Sequence, residues 1–385
     1  MYPVTDEFRR HLPDPGRFIT RIYSLLEPTA NPVEITSYFA HGSLTVGRQE
    51  IRTAGTLTFA NDDGAMLPVG DPDHPLGPYG QELQVYRGIE YEVDGKPVEE
   101  LVPQGVLRPT APEVVGSEVT VKCYDRSWRI KRALNETPIT IPAGTLGTAA
   151  IETLVRTAWP DVEMRIVPST ARTPTIVIDA FSDPWQQAQK IAASIGYELY
   201  FDRVGVCQLH PEIDNSEAVP VWSYDDASLE FIPRRPEHWA NLGLPTVGIN
   251  WDTEDTFNLW IVRGENSEND APVQGVYRHT DPSSPLRFGG RFGPSVSSTS
   301  DPNVTTAEQA TAAAVAKATR ELGVAEALRV PALFNPALDV DDPILVVRKM
   351  LLLNQVHVVD SLTVPLKATE QAIGTRRRRV VVIGD

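Results

Sequence analysis

A chain of 385 residues, 41% hydrophobic and 22% charged, has the composition of an ordinary folded protein and is long enough for two to four domains. Its net charge of −16 argues against direct binding to nucleic acid, because phosphate contacts need a basic surface. Apolar stretches such as Met350–Leu353 fall far short of the ~20 residues that span a bilayer, and the acidic N-terminus lacks the apolar core of a secretion signal.

Residues 1–32 form an N-terminal segment in which Arg17–Leu26 reads as a strand. From Val33 the pattern is β. Ser43–Glu50 and Ile51–Ala60 read as strands, with Gly47 and Gly55 as bulge or bend positions. Asn61–Gly64 is a turn and Asp71–Gly80 a Pro/Gly/Asp loop. Glu82–Tyr91 alternates, with Leu83, Val85 and Ile89 on one side, and Asp94-Gly95 is a hairpin turn. Val102–Leu107 and Val119–Tyr124 complete a strand cadence suited to a sandwich or small barrel, which makes residues 33–140 a first β-domain.

Two helices then interrupt. One follows Pro142–Thr145 and carries Ile151, Leu154, Val155 and Ala158 at helical spacing. The other starts with Asp183 as N-cap, Pro184 at the first position and Gln186 closing a D-x-x-Q box, and stops at Gly196. Its Trp185–Ile191–Ile195 face should pack on a hairpin, Tyr197–Phe201 and Val204–Leu209. With Thr175–Ile178 this makes a small α+β domain, residues 141–220.

β-character returns in a second β-domain, 221–385. Leu229–Pro233, Thr246–Trp251 and Asn258–Arg263 read as strands, and Gly264–Pro302 as an extended or partner-dependent loop. Thr305–Glu308 opens an alanine-rich helix to Leu322, so a loop and helix are inserted at about 264–323. Leu328–Pro331, Ile344–Leu353, Val356–Val364 and Arg377–Ile383 close the chain as strands. Pro75, Gly80, Leu83, Val85 and Arg87 align with Pro336, Asp341, Ile344, Val346 and Arg348 at a constant offset of 261, which suggests a duplicated β-domain.

No chemical constellation accompanies this framework. His11, His41, His74, His210, His238, His279 and His357 are dispersed, with no H-E-x-x-H pair, and Cys123 and Cys207 lack ligand spacing. The cysteines read as buried thiols of a protein made in a reducing cytoplasm. His41-Gly42-Ser43 lacks the second glycine of a hydrolase elbow, and no phosphate loop is present. The acidic groups Asp62-Asp63, Asp225-Asp226 and Asp339–Asp342 could serve a glycosidase or hold Ca²⁺. Asp is favoured in such turns for backbone reasons, and the Ca²⁺ loop pattern is missing. Arg376–Arg379 is too short a basic run for nucleic acid; it reads as a solvated edge or a contact between subunits. The expectation is therefore no catalytic, cofactor-binding or metal residues and no enzyme.

The order of pieces from about Pro75 to Pro211 resembles the tail-tip hub, or minor tail, proteins of long-tailed (siphovirus-type) phages, especially those of actinobacteria. The residues that carry it are G-x-E-L-x-V-Y-R-G at Gly80–Gly88, V-P-x-G-V at Val102–Val106 and D-R-S at Asp125–Ser127. I-P-A-G-T at Ile141–Thr145, D-P-W at Asp183–Trp185 and G-Y-E-L-Y-F-D at Gly196–Asp202 follow in order. The resemblance implies a mainly β (α+β) chain with two tail-tube-like β-barrel domains around the small α+β domain. It implies a homotrimer in the tail tip of the virion whose six barrels match the sixfold tube and whose lumen passes the genome without specific binding. Implied partners are the tail tube and distal tail proteins, the tape measure protein and tip fibre or receptor-binding proteins. Relatives often carry long C-terminal fibre or peptidase extensions, whereas this sequence stops at Asp385, which puts a wall-degrading or receptor-binding role in doubt. The competing readings are a distal tail ring protein, with one barrel in a hexamer, and a cell-wall-degrading tail enzyme.

Overall fold

The computed structural model describes residues 1–12, 18–25, 31–69, 71–212, 219–225, 248–252, 256–264, 273–301, 304, 306–322, 324–348, 353–367 and 370–379. In chain order, α1 (Asp6–His11) precedes β1 (Phe18–Leu25), β2 (Val33–Glu34), β3 (Phe39–Gly47), β4 (Thr53–Ala60), β5 (Glu82–Val93), β6 (Lys96–Val115) and β7 (Glu118–Asp125). A middle section follows: α2 (Ser127–Lys131), β8 (Ile139–Ile141), α3 (Gly147–Ala158), β9 (Met164–Ile166), β10 (Ile176–Ile178), α4 (Pro184–Ser194), β11 (Tyr197–Phe201) and β12 (Cys207–Pro211). The last section holds β13 (Trp222–Tyr224), β14 (Gly248–Asp252), β15 (Leu259–Gly264), β16 (Val273–Arg278), β17 (Val296–Asp301) and α5 (Ala307–Glu321). It ends with β18 (Val324–Leu333), β19 (Pro343–Arg348), β20 (Leu353–Pro365) and β21 (Glu370–Arg379). The expected strand Leu229–Pro233 lies outside the described residues.

Both β-sections belong to one 13-stranded sheet, and among the described residues neither section closes into a barrel. In the first, β5–β6, β6–β7, β7–β4 and β4–β3 are antiparallel neighbours. In the second, β19–β20, β20–β21, β21–β18 and β18–β14 repeat that order and sense. The next pairing differs, since β1 runs antiparallel to β5 whereas β13 runs parallel to β19. Leu83 and Val85 of β5 and their counterparts Ile344 and Val346 of β19 are all fully buried. A ladder of four pairings in one order is therefore present twice.

The two copies are fused. The C-terminal half of β20 pairs antiparallel with β3, from Ser361 opposite Gly47 to Pro365 opposite Ser43. One hydrophobic core serves both sides of this seam: Leu44, Leu57, Leu83 and Val121 share a cluster with Phe334, Ile344, Val359 and Leu362. Gly55, expected at a bulge, has another role. A Cβ there would lie 2.5 Å from the Ser43 carbonyl oxygen, so the close approach of β3 and β4 requires glycine. The bulge in this hairpin falls between Phe39 and His41.

The middle section has its own core, from Ile130 to Leu209. Asp183 caps α4 as expected, its carboxylate accepting from the backbone N–H groups of Trp185 (2.9 Å) and Gln186 (3.1 Å). Gly196 turns the chain out of the helix at φ 71°. Trp185 is fully buried and its ring stacks 5.5 Å from that of Phe201 on the hairpin. The expected strand Thr175–Ile178 does not join that hairpin. β10 pairs with β8, and β9 runs parallel to β12 instead.

The region Gly264–Pro302, expected as a loop from its Ser/Pro/Gly texture, is strand at Val273–Arg278 and Val296–Asp301 and irregular with turns between them. β15 pairs antiparallel with β16 and parallel with β17, and α5 covers the resulting three-stranded sheet. Small residues let helix and sheet approach: Ala310, Ala314 and Ala318 are buried, and a Cβ at Gly275 would lie 2.1 Å from the Ala310 carbonyl carbon. The capping box of α5 is formed by Thr306 and Gln309, one residue later than the spacing suggests.

Candidate assembly surfaces

Several of the titratable side chains that the sequence offered for chemistry are engaged structurally. His74 is buried with its Nδ1 accepting from the Leu76 N–H and its Nε2 3.0 Å from the Ala65 carbonyl. His357 is buried beside Thr375, His210 lies 3.2 Å from the Tyr200 hydroxyl, and His11 stacks on Tyr91. His238 and Asp226 lie outside the described residues. Cys123 and Cys207 are free and buried, and burial pushes both thiols well above their ordinary pKa. Among the described residues no group of three or more His, Cys, Asp or Glu could hold a metal ion. Asp63 is occupied as a turn residue, accepting from the Ala65 N–H. The Arg376–Arg379 run is on β21, and Arg376 has β18 on one side and β20 on the other, so this position is not a sheet edge.

The run Asp339–Asp342 has a function that its spacing did not reveal. It joins an ion-pair cluster where the two β-sections and the middle section meet. Arg48 and Arg52 come from the β3–β4 turn, Glu198, Arg203 and Glu212 from the middle section, and the aspartates from the loop before β19. Arg48 Nε donates to Asp341 Oδ1 at 2.8 Å, and its Nη1 reaches Glu198 (2.8 Å) and Glu212 (3.1 Å). Arg203 Nε donates to Asp339 Oδ2 at 2.9 Å while its Nη1 donates to the Pro336 carbonyl at 2.7 Å. Arg52 lies 3.7 Å from both Asp339 and Asp341, and its guanidinium covers the Tyr200 ring at 3.9 Å. Asp342 accepts from the Met1 amine and from the Asp339 N–H.

The electrostatics of the cluster follow from burial set against pairing. Burial alone would raise the Asp339 pKa, but Arg203 and Arg52 outweigh it and hold the carboxyl below its ordinary range. Glu198 goes the other way: burial raises it despite Arg48. Burial likewise pushes the Tyr200 phenol up to about 12. A cleft of about 170 Å³ opens beside the cluster, lined by Arg48, Arg52, Gln189, Tyr197 and Tyr200 among others. That is smaller than the ~300–1,000 Å³ of typical small-molecule sites, so the arrangement suits a polar joint rather than a reaction chamber.

A second tie holds the middle section to the first β-section. Arg126 donates to both Glu82 carboxylate oxygens, the shortest at 2.6 Å, and to the Gly205 carbonyl at 2.7 Å. Lys131 pairs with Glu50 at 2.7 Å. Both Arg residues of the β3–β4 turn and both ties precede or follow strands that the sequence revealed. Their convergence depends on pairing far along the chain, which carries no local signal.

No family model and no curated protein matches the sequence. Solved structures do. The tail protein from Neisseria meningitidis MC58 is 12% identical, with 94% of this chain and 98% of that one covered and a TM-score of 0.61. The 43 kDa tail protein of prophage MuSo2 from Shewanella oneidensis is 12% identical, covering 93% and 98%, with a TM-score of 0.58. The prophage tail protein gp18 from Listeria monocytogenes EGD-e is 11% identical, covering 94% and 95%, with a TM-score of 0.55. Over nearly its whole length, the chain shares the fold of these tail proteins.

Proposed function

We propose that this chain is a structural hub of a phage tail tip, which joins a sixfold tail tube to threefold tip components and surrounds the path of the genome. The observation that carries the reading is the strand ladder present twice and joined edge to edge through β3 and β20. Two such units in one chain let three copies present six units in a ring. In this reading residues 33–140 and 221–385 are the two tube-like units, each completing a barrel in the ring, and 141–220 is held outside them. The fold shared with the tail proteins, two of them from prophages, supports the tail assignment, and the ion-paired joint supports a rigid adaptor. Tail tube, distal tail, tape measure and fibre or receptor-binding proteins are the partners. The proposed site is the tail tip of a siphovirus-type virion, and the proposed role is not enzymatic.

The symmetry of the assembled protein tests this. Native mass spectrometry or electron-microscopic class averages should give three copies with six similar lobes. Six copies would favour a distal tail ring instead, and release of fragments from cell-wall material would favour the enzyme reading.

A further inference from the structure

Among the described residues, the seam between the two β-sections has an unpaired counterpart on β6 and another on β14. Pro109 pairs with Cys123 as Val359 pairs with Thr375, so the C-terminal half of β6 corresponds to that of β20. Tyr124 pairs with Ala54, and Ala54 with Thr45, as Arg376 pairs with Ala327, and Ala327 with Asn250. β14 therefore corresponds to β3. Within the chain, β20 receives β3 along residues Ser361–Pro365. The equivalent stretch of β6 has no such strand: β5 leaves it at Leu107, and among the described residues 110–115 pair only with β7. The far side of β14 is equally unpaired among the described residues, since only β18 adjoins it.

We propose that β14 of one copy adds, antiparallel, to the open edge of β6 in the next, with Ile249 opposite Val114 and Asn250 opposite Glu113. This rests on the ring reading and names the surface that closes it. Three observations support the match. Val114 and Val115 are 43% and 67% exposed on an edge strand, where an uncovered apolar pair invites strand addition. β6 is bulged between Thr110 and Glu113; β20 is bulged slightly earlier in the equivalent run, between Val359 and Ser361, and receives β3 directly beyond its bulge. Charge is complementary. Arg108 lies next to the edge, close to Glu82, which Arg126 pairs with, and to Arg129 and Arg132; among the described residues Arg108, Arg129 and Arg132 form no ion pair. The incoming strand runs towards Arg108 and ends at Asp252.

Cysteine cross-linking tests the register. The full chain carrying Val114→Cys and Ile249→Cys, concentrated and oxidised, should give reducible bands of two and three chains and none larger, because a ring of three closes. The single variants should give no trimer band. A trimer by light scattering without the double-variant bands would overturn this edge assignment and leave the ring standing. A monomer at all concentrations, also without bands, would overturn both. Arg108→Glu should slow cross-linking about tenfold, with restoration by Asp252→Arg; no change in rate would remove the charge pairing from the proposal.

Discussion

Trp185 Nε1 donates a 2.8 Å hydrogen bond to the backbone carbonyl of Glu50, so α4 is anchored to the β3–β4 turn as well as to its own hairpin. Gln189 on the next turn reaches the same carbonyl at 3.2 Å. Trp185→Ala should cost about 3–5 kcal/mol, because a fully buried ring is lost. Trp185→Phe should recover most of the packing and lose about 1 kcal/mol for the bond. Chemical denaturation of the three proteins checks both values; a loss under 1 kcal/mol for the alanine variant would contradict the burial.

Asp339 makes the joint acid-sensitive. Its folded pKa is held down, with burial opposed and overcome by Arg203 and Arg52, so its contribution is present above the ordinary carboxylate pKa and disappears as pH falls through the lower folded value. Asp339→Asn should therefore be less stable than the parent by about 1–3 kcal/mol near neutral pH. The gap should narrow as pH falls below the ordinary carboxylate range. Melting curves across pH for the pair test the sign.

A core shared across the β3–β20 seam predicts one cooperative transition for both β-sections. Leu57→Ala and Leu362→Ala, from opposite sides of the seam, should each cost about 2–5 kcal/mol and shift that same transition. Two separable transitions in calorimetry, each moved by one variant only, would show that the sections unfold independently.

Gly275→Ala should damage only the β15–β17 unit. The added methyl group would overlap the backbone of α5 at Ala310, an overpacking worth about 1–3 kcal/mol. Hydrogen exchange should rise in β16 and α5 and stay unchanged in β5 and β19.

In a ring, the acidic excess of the chain should be concentrated on the inner wall, where it keeps phosphate from sticking within a Debye length of about 8 Å at physiological salt. A structure of the trimer with a neutral or basic lumen would remove that role for the charge and leave the adaptor role intact.

The strands and caps were legible where the signal is local. The alternation of Leu83, Val85 and Ile89 placed β5, and Asp183-Pro184 placed the start of α4. The seam was not legible, because Ser43–Gly47 and Ser361–Pro365 each read as ordinary strands and nothing in either names the other. The charge cluster was hidden for the same reason: Arg48 and Arg52 look like turn residues until Asp339 and Asp341 are brought to them. β17 failed for a compositional reason, since Val296–Asp301 is almost entirely polar and its pairing with β15 supplies what its side chains do not.

The unit of β15–β17 and α5 leaves the sheet after Asp252 and returns at Val324, in the place taken in the first copy by the short turn between β3 and β4. Asp252 and Ala325 are paired, so the exit and entry points are adjacent strand neighbours, about 5 Å apart. Any folded module whose own termini meet would fit the same socket without disturbing the ladder. Evolution could exchange one decoration for another here while the scaffold stays constant, and a protein engineer could graft a reporter at the same point.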